Sequence, residues 1–287
     1  MEFYLASTSH LEDRLWFKCE EDFKVGMNYV AVINHLTGTP VVAFILMSNH
    51  VHFVLEGTRK ESVRFMNLFK QQYSGYLRRK YGIKEMLRRN DVDIRPVGLA
   101  DESLERAIAY VMMNSVAANI CVHASQYPWG TGGILFNLHS SHGRTLKSFS
   151  NRALQKMLHT WQKLPEHYRM ADEGYILPDS YVPIAFLESL FRTPNRLNYF
   201  LVNSSKAKTR LSQTEVSLPS FRDQSLVAAI PDLCISLFRK NSFKELTEDQ
   251  KAELVKQIRR RFAADPAQIA RVIEVSYDTA AELLDSF

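Results

Sequence analysis

The chain has 287 residues, with 36 Lys and Arg against 31 Asp and Glu, a formal net charge of +5. Hydrophobic residues make up 46% and charged residues 23%, which suffices for a real core and argues against a wholly disordered chain. A charge this small permits nucleic-acid binding without requiring it, so its distribution has to decide.

Other classes fall away on composition. Cys19, Cys121 and Cys234 are odd in number and far apart, which opposes a disulfide scaffold or a Cys-based zinc module. The N-terminus carries acids early and lacks an apolar signal core. The longest apolar run, Val41 to Met47, has seven residues, far below the ~18 that span a bilayer. No glycine-rich phosphate cradle is present. The expectation is a soluble cytoplasmic protein with no membrane partner.

In chain order, residues 2–18 hold extended patches anchored by Phe3, Leu5, Leu15 and Phe17. Residues 22–35 have helical spacing, closed by Gly38 and Pro40. Val41 to Met47 is the pattern of a strand buried on both faces, and His50 to Glu56 resumes in alternation after Ser48-Asn49. Two strands with a two-residue polar break read as a hairpin or a bulged neighbour pair. A long helix follows over 61–81, ended by Gly82, then a short strand at 91–97 whose Pro96 suits an edge. A further helix runs from Asp101 through Ala118, with Ser103 as a cap.

This order predicts an α+β fold: a ferredoxin-like antiparallel sheet with helices on one face. Beyond the glycine-rich stretch at 130–133 the texture becomes linker-like, and every periodic segment from Arg144 reads as helical. The expected divisions are a domain at 1–135, a linker and helical region at 136–240, and a trihelical segment at 241–287. In the last, Gln268 to Ile273, a short turn and a helix capped by Ser276 have the shape of a helix-turn-helix. Its second helix carries Asp278, Glu282 and Asp285 with no Lys or Arg, so a packing trihelix stands beside the DNA-binding reading.

The most informative stretch is Met47-Ser48-Asn49-His50-Val51-His52-Phe53-Val54-Leu55. On a strand, residues two apart share a face, so His50 and His52 offer paired imidazoles that suit a divalent ion. Two histidines on a solvent face, or bonded within a core, satisfy the same spacing. Tyr110 and Asn114 stand four apart on the later helix, one above the other, which also suits plain packing. The remaining histidines, such as His123, His142, His159 and His167, form no chelating pair. Between Lys70 and Arg89 there are seven basic residues and one acid, interleaved with Tyr73, Tyr76 and Tyr81. That pattern fits a phosphate-tracking, base-stacking surface made by Lys70, Tyr73, Arg78, Arg79, Lys80, Lys84, Arg88 and Arg89, and equally a solvated helix face over a tyrosine core.

FILMSNHVHFVLEG, then FKQQYSGYLRRKYG, then AYVMMNSVAAN together resemble the HUH single-tyrosine transposases, and most of all their REP-associated tyrosine transposase branch. The resemblance covers roughly residues 1–135. It implies that His50 and His52 bind Mg²⁺ or Mn²⁺, that Asn114 completes the metal shell, and that Tyr110 attacks DNA to leave a 5′-phosphotyrosine. It further implies single-stranded or hairpin DNA at palindromic repeats as the partner, and a site built within one chain or across a homodimer. Two departures stand out: Ser115 where the family has proline, and residues 84–90 in place of an aromatic, Gly-rich segment. The second bears on DNA recognition more than on catalysis.

The leading expectation is a metal-dependent DNA nickase and strand-transferase. The alternative is a DNA-binding protein of transposase descent that acts on palindromic repeats without transposing. A small-molecule metal hydrolase would need further His or Asp ligands near His52, and none follows.

Overall fold

The structure, a computed structural model, describes residues 1–8, 15–83, 92–137, 142–204, 223–262, 264 and 266–285. Its centre is a four-stranded antiparallel sheet of β1 (Phe3–Ser7), β2 (Val41–Leu46), β3 (Val51–Glu56) and β4 (Asp93–Val97), in the order β2-β3-β1-β4. Helices α1 (Glu20–Thr37) and α2 (Arg59–Tyr81) supply the two crossovers, so the ferredoxin-like expectation holds. Each helix ends on a glycine in the left-handed region, Gly38 at φ 67° and Gly82 at φ 68°, where a side chain would be strained.

The two faces of the sheet are covered differently. Phe53 of β3 packs its ring on Phe65 and Phe69 of α2, at 5.2 and 5.6 Å. His52, one residue earlier, points the opposite way, toward α3 (Ser103–Met112). Thus α1 and α2 share one face and α3 covers the other. The single helix expected through Ala118 is broken at Met113, with α4 (Asn114–Ala117) continuing beyond the break.

β2 and β3 form a hairpin closed by Met47 N–H donating to the His50 carbonyl at 2.8 Å, and a bulge between Val41 and Ala43 shifts the register. Both sequence-level alternatives are therefore present at once. On the outer edge of β2, Leu46 N–H donates to Trp129 O at 2.8 Å and Thr131 N–H to Phe44 O at 3.0 Å. The segment around Gly130 thus blunts an open sheet edge.

Among the described residues the rest of the chain is mainly helical, and β5 (Arg144–Thr145) pairs with β6 (Arg169–Met170), a ladder too short to show as alternation. Around it lie α5 (Asn151–Leu158), α6 (Ile184–Phe191) and α7 (Pro194–Val202). The C-terminal part holds α8 (Asp223–Phe238), α9 (Glu248–Phe262), α10 (Pro266–Ile273) and α11 (Tyr277–Asp285). Ser276 caps α11, its Oγ accepting from Thr279 N–H at 3.0 Å.

The cores draw their residues from separated parts of the chain. Leu187, Phe191, Leu197 and Phe200 of α6 and α7 enter the sheet's own core. Leu226, Leu233 and Cys234 of α8 instead join the C-terminal helices, and Leu15 enters that core as well. Asn28 of α1 holds the middle segment directly: its Nδ2 donates to Met157 O and Gly174 O, and its Oδ1 accepts from Ile176 N–H. No helix of the described residues is long and apolar enough to cross a membrane.

Candidate active site

The hairpin sets the first two side chains. Alternation puts His50 and His52 on one face, with ring centroids 5.0 Å apart and planes at 84°. His52 is almost fully buried, 1% exposed, whereas His50 is half-buried. Asn49, in the turn, places its Oδ1 2.6 Å from His50 Nδ1. An amide oxygen can only accept, so this contact puts the proton on Nδ1 and the lone pair on Nε2. Fixing a tautomer from outside is how proteins orient metal-ligating imidazoles.

Helix α3 supplies the third side chain. Leu104, Ile108, Val111 and Met112 form its buried stripe, which leaves Tyr110 half-buried on the flank above the sheet. The Tyr110 and His52 rings meet at 89° with centroids 5.6 Å apart. His50, His52 and Tyr110, picked out from sequence, are therefore gathered within one chain. Asn114, also singled out, is 3% exposed and donates its Nδ2 to Tyr110 O at 2.9 Å and to Val111 O at 3.2 Å. Its Oδ1 is the atom that a metal would need.

Two further residues belong here that sequence reading missed. The register pairs His52 with Ser7 and Ser7 with Asp93, while Arg95 lies across from Leu5 on the same face. Asp93 and Arg95 are ion-paired at 2.6 Å. Burial pushes the Tyr110 phenol above its ordinary pKa, the Arg95 guanidinium pulls it back down, and the Asp93 carboxylate pushes it up. Alternation along Asp93-Ile94-Arg95 was the signal available for placing both on one face.

The tyrosine helix is also held from outside. Arg196 of α7 donates to Glu102 Oε1 at 3.1 Å and Glu105 Oε1 at 3.2 Å, at the start of α3. A segment that reads as accessory thus holds the start of the helix that carries Tyr110.

The basic stretch of α2 requires correction. Tyr73, expected to stack bases, is fully buried, and its hydroxyl donates to Trp16 O at 2.9 Å. Lys70 is buried at 6% exposure. The Lys80 ammonium is engaged with Asp22 Oδ1 at 2.6 Å and Tyr76 OH at 2.9 Å. Arg78 and Arg79 are exposed, yet α2 packs on the opposite face of the sheet from His52 and Tyr110. The tyrosines continue the stripe of Phe65 and Phe69 at helical steps and are core for that reason. Lys84, Arg88 and Arg89 lie outside the described residues.

For a divalent ion, the donor chemistry fits as far as two imidazoles, His50 and His52. Among the described residues no group of three or more His, Cys, Asp or Glu could hold a metal. Two nitrogen donors with open positions suit an ion that shares its shell with water and substrate phosphate rather than a closed structural site.

No protein-family model matches the sequence, and no curated protein matches it either. Among solved structures, the chain is similar to a REP-associated tyrosine transposase bound to a REP hairpin, with 9% identity and a TM-score of 0.38. The match covers 60% of this chain and 93% of that one.

Proposed function

We propose that the chain cleaves and rejoins single-stranded or hairpin DNA, with Tyr110 as the nucleophile and His50 and His52 holding a divalent metal. The observation that carries this reading is the convergence of the two imidazoles and the phenol on one face of the sheet. It is supported by the sequence resemblance to the HUH single-tyrosine transposases.

A bound Mg²⁺ or Mn²⁺ would act as a Lewis acid on the scissile phosphate. Tyr110 Oη forms a bond to phosphorus while the bond from phosphorus to the 3′ oxygen breaks. The phenol proton ends on the leaving 3′ hydroxyl, so one phosphodiester replaces another and the step is reversible. Arg95 stabilises negative charge on the phenolate and on the phosphate as it is attacked. Burial keeps the resting phenol neutral, so the nucleophile is unmasked only as the proton departs.

The test is incubation of the full chain with labelled hairpin and single-stranded oligonucleotides and Mn²⁺, followed by denaturing electrophoresis. A covalent adduct that needs metal and Tyr110 is expected. Binding without any adduct, in the presence of Mn²⁺ or Mg²⁺, supports the second reading: a transposase-derived DNA-binding protein. The observation that favours that reading is the donor set, which among the described residues offers no group of three or more His, Cys, Asp or Glu for a metal.

A further inference from the structure

A cavity of about 240 Å³ lies where four parts of the chain meet: the hairpin loop at Ser48, the edge segment at Trp129, the loop at Tyr175, and α9 at Arg260. It is smaller than the roughly 300–1,000 Å³ of drug-sized sites, so it suits a single ring system. Its aromatic wall is built in order. Trp129 stacks on Phe23 at 5.2 Å with planes 13° apart, and Tyr175 meets Trp129 at 5.7 Å and 63°. Trp129 and Tyr175 are only half-buried and line the space.

The charges around it are distributed unequally. Arg261 is committed, its Nη1 donating to Lys18 O at 2.6 Å and its Nε to Gln257 Oε1 at 2.9 Å. Arg260 beside it is exposed at the rim. Two carboxylates also line the cavity: Glu20 is ion-paired with Lys24 at 2.9 Å, which offsets its charge, and Glu173 is exposed to solvent. An exposed aromatic ring beside one exposed guanidinium is the pairing that single-stranded nucleic acid uses, ring on ring and phosphate on cation. Ser48, which lines the cavity, belongs to the same hairpin loop that carries His50.

We infer that this cavity receives one unpaired nucleobase of a DNA strand, stacked on Tyr175 with Trp129 beside it, and with its phosphate on Arg260. The inference rests on the proposed function for the choice of DNA and adds the subsite that positions the strand. Arg260 comes from the C-terminal helices, which gives that half of the chain a part in holding the strand.

The test uses the full chain in chelator, where metal-dependent cleavage cannot proceed, and a thymine 12-mer carrying one central 2-aminopurine. Binding is expected to quench the 2-aminopurine fluorescence. Tyr175→Leu should remove the quench while Tyr175→Phe keeps it, which separates stacking from mere support of the fold. Arg260→Ala should weaken binding by about 5- to 10-fold at low salt. Absence of binding, binding without quench, or a quench of wild-type depth in Tyr175→Leu would overturn the inference. Equal competition by free deoxyadenosine monophosphate would also overturn it, by assigning the cavity to a free nucleotide. A wild-type chain that quenches 2-aminopurine in chelator but forms no adduct in Mn²⁺ would keep this subsite while failing the cleavage chemistry, so the two failures give different results.

Discussion

The His52 imidazole and the Tyr110 phenol, carried by a strand and a helix from different parts of the chain, meet at 89° with centroids 5.6 Å apart. Because both lie in one protomer, the proposed reaction requires no exchange of the tyrosine helix between subunits. Tyr110→Phe removes one oxygen from a half-buried ring and keeps the packing. The expected result is complete loss of the covalent DNA adduct, with DNA affinity within about 2-fold of wild type. An adduct at wild-type level on a denaturing gel would remove Tyr110 from its role.

Burial holds the Tyr110 phenol above its ordinary value, with Arg95 pulling it down and Asp93 pushing it up. At neutral pH the phenolate is therefore scarce, and single-turnover adduct formation should rise with pH, approaching tenfold per unit between about pH 6 and 9. Arg95→Gln removes the influence that lowers the pKa, so the profile should move to higher pH and the rate at pH 7 should fall. A pH-independent rate in both proteins would show that phenol deprotonation does not limit the reaction.

Metal affinity should depend on the orientation of His50 as well as on the ligands themselves. His52→Ala is expected to abolish Mn²⁺ binding measured by calorimetry. Asn49→Ala frees the His50 tautomer and should weaken Mn²⁺ by about 10–100-fold, the usual effect of losing an orienting partner. If Asn49→Ala binds Mn²⁺ as wild type does, the contact at 2.6 Å between Asn49 Oδ1 and His50 Nδ1 has no role in the site.

Asp22 is a stability determinant away from the chemistry. Its fully buried carboxylate accepts from the Lys18 and Cys19 backbone N–H groups, from the Tyr76 and Tyr81 hydroxyls, and from Lys80. Removing one side of a buried pair strands the other, so Asp22→Ala should cost about 3–5 kcal/mol in urea denaturation. A loss below about 1 kcal/mol would mean that water replaces the carboxylate at little cost.

At the sheet edge, a Cβ on Gly130 would sit 2.6 Å from Phe44 O and 3.1 Å from Ile45 Cα, both backbone atoms that cannot rotate away. Gly130→Ala should destabilise by about 1–3 kcal/mol and loosen the Trp129 segment from β2. Hydrogen exchange at the Leu46 and Thr131 amides would report it directly, and unchanged protection would sink the prediction.

Much of this arrangement was legible in the residues because the periodicities are local. The Ser48-Asn49 break, the two-residue alternation of His50 and His52, and the helical spacing before Tyr110 each depend on neighbours in the chain. Asp93 and Arg95 were missed because their relevance arises from register across three strands, which no local pattern encodes. The surface expected around Tyr73 and Lys70 failed for a different reason. Alternation of tyrosine and lysine on a helix does not state which side meets the sheet, and the continuing Phe65 and Phe69 stripe decided it. The affiliation of α8 with the C-terminal helices, and of α6 and α7 with the sheet, followed from long-range packing alone.

The hairpin loop is tied down at its tip. Ser48 Oγ donates to Arg261 O at 2.5 Å, and the Ser48 carbonyl accepts from the Trp16 and Phe17 amides at 2.8 and 3.0 Å. A ribbon pinned at that point cannot twist on its own, so the two imidazoles keep their spacing before any ion or strand arrives. Part of the ordering entropy of assembling a chelate is thereby met when the chain folds rather than when it binds. In this sense the last helices act as a brace that sets the geometry of histidines two hundred residues earlier in the chain.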